Sequence, residues 1–134
     1  AVHCIDFMKK LKKTPKIATL SYARPGDYGR SEEINQSLDD AKKLTQLIEK
    51  HTNQKIENSC VLIDQAIKNK CNILIAPNGI VGNTIFRTLV LLNSWPSFGA
   101  ITFGIDDIYI DTSRDQSREG YLRSLELAYK LAKL

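Results

Sequence analysis

Apolar residues recur at Ile5, Phe7, Met8 and Leu11, a short helical stripe that Thr14-Pro15 ends. The run "KIATLSY" that follows is rich in apolar and β-branched residues and predicts a buried strand. "ARPGDYGR" reads as a loop, with Pro25-Gly26 as its turn signal. Ser31 then predicts the cap of a long helix, with Glu32 and Glu33 in the first turn, where the helix dipole favours carboxylates. Ile34, Leu38, Ala41, Leu44, Leu47 and Ile48 repeat along it at helical spacing, and the opposite face is polar. Ser59 is expected to open a shorter helix, with Leu62, Ile63, Ala66 and Ile67 on one side.

"NILIA" is continuous in apolar residues, the pattern of a strand buried on both faces. With "KIATLSY" it is expected to form adjacent or near-adjacent interior strands of a mainly parallel sheet. A helix through "NTIFRTLVLL" is apolar on most sides and reads as central. "FGAITFG" and "DIYIDT" are two further strand candidates. Tyr121, Leu122, Leu125, Ala128, Tyr129 and Ala132 give the last helix its stripe. Strands alternating with helices imply a layered α/β sheet. Ligands of such sheets bind beyond the carboxyl ends of the strands. The polar loops 22–30, 77–82 and 112–117 are therefore candidate members of one site.

Composition narrows the classes. The 134 residues are 25% charged and 43% apolar, which fits one soluble α/β domain over 1–134. No apolar run reaches the roughly 20 residues that span a membrane. The first residues lack signal-peptide order and a starting methionine, and the chain reads as part of a longer protein. Net charge is +4, with lysines clustered between Lys9 and Lys16. Without an aromatic or glycine-rich RNA motif, that cluster reads as a solvated helix end and not a nucleic-acid surface. Cys4, Cys60 and Cys71 are too scattered for a disulfide framework or metal site and read as small buried hydrophobes. His3 and His51 lack partners at ligand spacing. A reducing, cytoplasmic setting without a bound metal is expected.

Three stretches could carry chemistry. In "IAPNGIVGNTIFR", Asn78 and Gly79 both tolerate positive φ, Gly82 permits close approach of the backbone, and Asn83 lies near the helix start. The first N–H groups of that helix offer a site for phosphate or carboxylate. A turn that only connects is the competing reading. In "DTSRDQSREGY", Ser113 could cap the helix or meet a substrate, and the Arg114 fork suits phosphate. Here the competing reading is a capped helix with an ion pair among Asp111, Arg114 and Asp115. In "SYARPGDYGR", Ser21 ends the strand and Arg24 and Arg30 flank a Pro-Gly turn, either over an anion or in water.

The order of "ATLSYARPGDYGRSEEINQSLDDAKKL", "NILIAPNGIVGNTIFRTLV" and "DIYIDTSRDQSREGYLRSLELAYKLA" resembles the phosphate acetyl/butyryltransferase family from Lys16 onward. "IAPNG", "GNTIFRTLV" and "DTSR" are closer to the methanogen family called MtxX, which is named for a methyltransferase subunit. The resemblance implies a three-layer α/β/α fold of the isocitrate/isopropylmalate dehydrogenase-like kind, here the C-terminal portion of a longer two-domain protein. It implies Ser113 and Arg114 as the catalytic pair, Ser113 stabilising a thiolate or the reacting acyl centre and Arg114 holding phosphate. Gly82 and Asn83 would line a cleft, with Ser21, Arg24, Asn78 and Gly79 as further ligand contacts. The implied ligand is a phosphorylated or acyl small molecule, with coenzyme A or a methyl donor as cofactor and partner subunits or a homodimer as assembly. Two departures stand out. Gly120 occupies the place of the family's aspartate base, with Glu119 about 100° round the helix from it. Asn78 also replaces an aspartate. The chain thus reads as a transferase of methanogens or as a non-catalytic binding subunit on the same fold.

Overall fold

The structure is a computed structural model and describes residues 1–114 and 116–134. Its organising element is β1 (Ile17–Leu20), a strand buried at every position, with Ala18 and Thr19 at 0% exposure. β1 is the middle of a three-stranded sheet and pairs in parallel with β2 (Glu57–Cys60) on one side and β3 (Ile73–Ile75) on the other. The expected strands "KIATLSY" and "NILIA" are therefore neighbours. β3 nevertheless takes an outer place, not an interior one. Ile73 is buried, while Leu74 and Ile75 are half-buried.

β2 corrects the expectation at Ser59. Glu57 to Cys60 contains no β-branched or aromatic residue, so local preference gives no strand signal. Pairing with β1 overrides that preference. Ser59 is a buried strand residue, and the following helix α3 starts later, at Ile63, and ends at Lys68.

Two earlier helices complete this first unit. α1 spans Val2–Lys10, and its last turn carries Lys9 and Lys10 at the negative end of the helix dipole. α2 spans Glu32–Thr52, and the Ser31 hydroxyl accepts the Ile34 N–H as its cap. Ile5, Ile17, Ile48, Ile56 and Ile73 form the core, drawn from both helices and all three strand regions. On α2 the buried positions are Ser37, Leu38, Ala41, Thr45 and Ile48, whereas Leu47, expected in the stripe, is exposed. Thr45 takes the inward place because it has a partner there. Its hydroxyl lies 2.6 Å from that of Thr19 and donates to Ala41 O.

At the amino edge of the sheet a polar cluster closes the structure. Glu57 accepts from the Ser59 hydroxyl, the Asn69 amide and the Cys71 thiol. Lys16 donates to Asn69 O. These donors, Ser59 foremost, hold Glu57 below the usual carboxylate range against the opposing cost of burial. Burial and the adjacent Glu57 push the Cys71 thiol up, which makes it a poor nucleophile.

The chain divides into two compact units, Ala1–Thr84 and Ile85–Leu134. The division falls inside α4 (Gly79–Arg87), which runs on into a π-helical turn at Thr88–Leu92. No residue of either segment is buried, and Ile80 and Leu92 are 79% and 82% exposed. The expectation of a central, enclosed helix is thereby corrected: apolar composition states what a helix prefers to bury, not what covers it.

The second unit holds β4 (Ala100–Ile101), β5 (Ile110–Asp111) and α5 (Arg118–Leu131). The strand candidates "FGAITFG" and "DIYIDT" do supply strands, but they pair antiparallel in a separate two-stranded sheet. Gly99, at φ +85°, makes this possible. A Cβ there would lie 2.5 Å from Ile110 Cγ2 and 2.8 Å from Asp111 O. α5 also buries a different face from the one expected. Gly120 and Ser124 are buried, while Tyr121, Leu122, Leu125 and Tyr129 are exposed. The small residues let α5 approach the Ser97–Gly99 segment, where Arg123 Nε donates to Ser97 O at 3.1 Å.

Thr19→Val should lower stability by about 0.5–1.5 kcal/mol in urea unfolding, since it removes a buried hydrogen bond without changing shape. Adding Thr45→Val should cost less than the sum of the two single changes, because no partner is then left unsatisfied. Glu57 has a depressed folded-state pKa, so its contribution is present above its unfolded value and is lost as pH falls through the folded one. An acid titration of stability should therefore show a shallower loss below the ordinary Glu range in Glu57→Gln than in the unsubstituted chain.

Candidate functional site

Because β1 and β3 run in parallel, their carboxyl ends, Leu20 and Ile75, open on the same edge of the sheet. The loops that leave there bring together four of the six expected ligand contacts: Ser21, Arg24, Asn78 and Gly79. Ser21 is buried and its hydroxyl donates to Ala23 O at 2.9 Å, so its role in this structure is to fold its own loop. Its N–H donates to Cys60 O, and the Tyr22 N–H donates to the Ser37 hydroxyl on α2. Arg24 follows as an exposed side chain ahead of the 3-10 turn Pro25–Asp27. Arg30 is engaged otherwise, in an ion pair with Asp27 at 2.9 Å.

The turn after β3 is built differently from its sequence reading. Neither Asn78 nor Gly79 uses a positive φ, and nothing lies within 4 Å of a Cβ placed on Gly79. Asn78 works as a cap instead. Its Oδ1 accepts the Val81 N–H at 2.9 Å, and its own carbonyl accepts the Gly82 N–H. One helix-start donor is thus already satisfied by protein, which is what a connecting turn requires. Asn78, Gly79 and Ile80 nevertheless stay exposed, which suits a turn that meets a ligand. Gly82 does permit a close approach: a Cβ there would touch Ala76 Cβ at 3.4 Å. Asn83 lies exposed on α4 within the same unit.

Tyr22 is the member that sequence reasoning passed over. Its hydroxyl accepts from Asn78 Nδ2 and joins the two loops side chain to side chain. The available signal was an aromatic directly after a buried strand, in a loop already named for its arginines.

Ser113 and Arg114 lie in the second unit, between β5 and α5, the strand-to-helix junction expected for them. The helix cap is Ser117, whose hydroxyl accepts the Gly120 N–H at 3.1 Å. Ser113 contributes its carbonyl to Gln116 N–H and Tyr121 OH, and Arg114 is exposed. The ion pair expected with Asp111 and Asp115 involves Asp115, which lies outside the described residues. Gly120 is buried at the start of α5 and faces Gln116. The Gln116 side chain fills the place where a Cβ on Gly120 would stand. The Gln116 amide nitrogen is buried there without a hydrogen-bond partner.

Among the described residues no group of His, Cys, Asp and Glu could hold a metal ion. No helix among them is long and apolar enough to cross a membrane.

Comparison with known proteins adds kinship. The chain is 33% identical over 122 residues to an "Uncharacterized methyltransferase" of Methanocaldococcus jannaschii, covering 90% of this chain and 49% of that protein. It is 32% identical over 124 residues to another "Uncharacterized methyltransferase", from Methanopyrus kandleri, covering 90% of this chain and 48% of that protein. It is 38% identical over 110 residues to a "Putative methyltransferase mtx subunit X" of Methanosarcina barkeri, covering 81% of this chain and 40% of that protein. The chain thus spans about half or less of the length of these curated relatives. No family model and no solved structure matches it.

The Gly82 contact gives a local test. Gly82→Ala should keep the packing and gain up to about 1 kcal/mol of helix propensity. Gly82→Leu should push on Ala76 and cost about 1–3 kcal/mol by overpacking. Thermal unfolding of the two variants should move in opposite directions.

Proposed function

We propose that this chain is the ligand-binding part of a methyltransferase-type protein of methanogens, of the mtx subunit X kind. The observation that carries the reading is the likeness to methyltransferase-named methanogen proteins along 81–90% of the chain. Each unit, taken by itself, would carry one candidate anion-binding element. In the first it is Arg24 with the Asn78–Gly79 turn at the start of α4; in the second it is Ser113–Arg114. Asn78 is an uncharged amide where the acyltransferase pattern has a carboxylate, so it places no negative charge at the positive end of α4. Arg114 would give two parallel donors to a phosphate. Coenzyme A and a methyl donor are the ligands to try, and the fold is read as the C-terminal part of a dehydrogenase-like, three-layer parent.

Gly120 supports a second reading, a non-catalytic binding subunit. A glycine cannot take a proton, Gln116 fills the space beside it, and Glu119 lies exposed about 100° round the helix. At this position no group stands ready to take the proton in acetyl transfer to phosphate.

Calorimetric titration of the intact protein with S-adenosylmethionine, coenzyme A and inorganic phosphate tests this. Arg114→Ala should weaken binding of a phosphate-bearing ligand by about 1.5–3 kcal/mol, the loss expected for a charged hydrogen bond. Unchanged affinity would remove Arg114 from the site. Binding of a methyl donor without methyl transfer would select the subunit reading, and brisk acetyl transfer from acetyl-coenzyme A to phosphate would contradict both.

A further inference from the structure

The loop after β1 is held from three sides. Ser21 N–H reaches Cys60 O on β2, Tyr22 N–H reaches Ser37 Oγ on α2, and Ser21 Oγ–H folds back on Ala23 O. The turn after β3 is held mainly by itself, through Val81 N–H to Asn78 Oδ1 and Gly82 N–H to Asn78 O. The Asn78 Nδ2 group leaves that turn and donates to the Tyr22 hydroxyl. The chemistry fixes the amide's sense. Val81 N–H can only donate, so the oxygen of Asn78 must face it, and the nitrogen must face an acceptor, which a phenol provides.

We propose that Tyr22 is a positioning residue: by holding Asn78 Nδ2 it keeps Asn78 Oδ1 on the Val81 N–H and so sets where α4 begins. The rigidity of the loop on β2 and α2 is passed through one hydroxyl to the turn after β3. The consequence for ligand binding rests on the reading of that turn as an anion site; the positioning itself does not.

Amide hydrogen exchange on the full chain tests the proposal. Tyr22→Phe should speed exchange of the Val81 amide about two- to tenfold, the effect of one lost hydrogen bond. The β1 amides should keep their protection. Asn78→Ala should speed Val81 exchange as well, and Tyr22→Phe should add nothing in that background, because both act through one contact. Asn78→Asp should restore protection, since one carboxylate oxygen caps Val81 and the other accepts the Tyr22 hydroxyl proton. Unchanged Val81 exchange in Tyr22→Phe, or additive effects of Tyr22→Phe and Asn78→Ala, would overturn the proposal. A titration of the unsubstituted chain with inorganic phosphate separates the two readings. If phosphate leaves the Gly79 and Ile80 amide signals unmoved, the anion site fails, while the positioning role is still decided by Val81 exchange. If phosphate moves them, Asn78→Asp should weaken that binding by its charge while keeping Val81 protected.

Discussion

The first unit depends on one strand being paired on both sides. β1 has neighbours in register at Ala18 with Glu57 and Leu74, and none of its residues is more than 5% exposed. A strand so enclosed must satisfy its backbone through its partners, because an unpaired buried N–H or C=O costs about 1–3 kcal/mol. The same enclosure dictates its side chains. Ile17 enters the isoleucine core, and Thr19, the one polar side chain of the strand, is tolerable because Thr45 of α2 meets it at 2.6 Å. Parallel pairing then has a geometric result. The exits of β1 and β3 fall on one edge, which is why Tyr22 and Asn78, distant in sequence, come within hydrogen-bonding reach.

Legibility in the sequence followed the strength of local signals. β1, α2 with its Ser31 cap, and β3 could be read because apolar runs, helical spacing and a capping serine all act locally. β2 could not, because Glu57 to Cys60 is a strand only by virtue of β1. The buried face of α5 was misread for the opposite reason. Its large apolar residues suggested a core-facing stripe, whereas close packing selected Gly120 and Ser124. On α2, Leu47 of the expected stripe is exposed, while Thr45 is buried with its hydroxyl 2.6 Å from that of Thr19.

The candidate site was legible as a set of loops more than as a set of roles. Asn78 and Gly79 suggest positive φ by residue type, yet Asn78 acts as a cap and as a donor to Tyr22. The resemblance implies Ser21 as a ligand contact, and its hydroxyl folds its own loop. Ser113 and Arg114 stand at the junction expected of them, with Ser117 as the cap. What could not be read was which polar atoms the fold itself consumes. Asn78, Arg24 and Gly79 remain exposed at the carboxyl edge, and the relatives that share most of this chain carry methyltransferase names.

The central claim is that this carboxyl edge, and not the polar cluster at the amino edge, receives the ligand. Amide chemical-shift mapping of the isotope-labelled chain during titration with inorganic phosphate, and separately with S-adenosylmethionine, tests it most directly. The account predicts shifts confined to Tyr22, Arg24 and Asn78–Val81 in the first unit. Shifts centred instead on Glu57, Asn69 and Cys71 would contradict it.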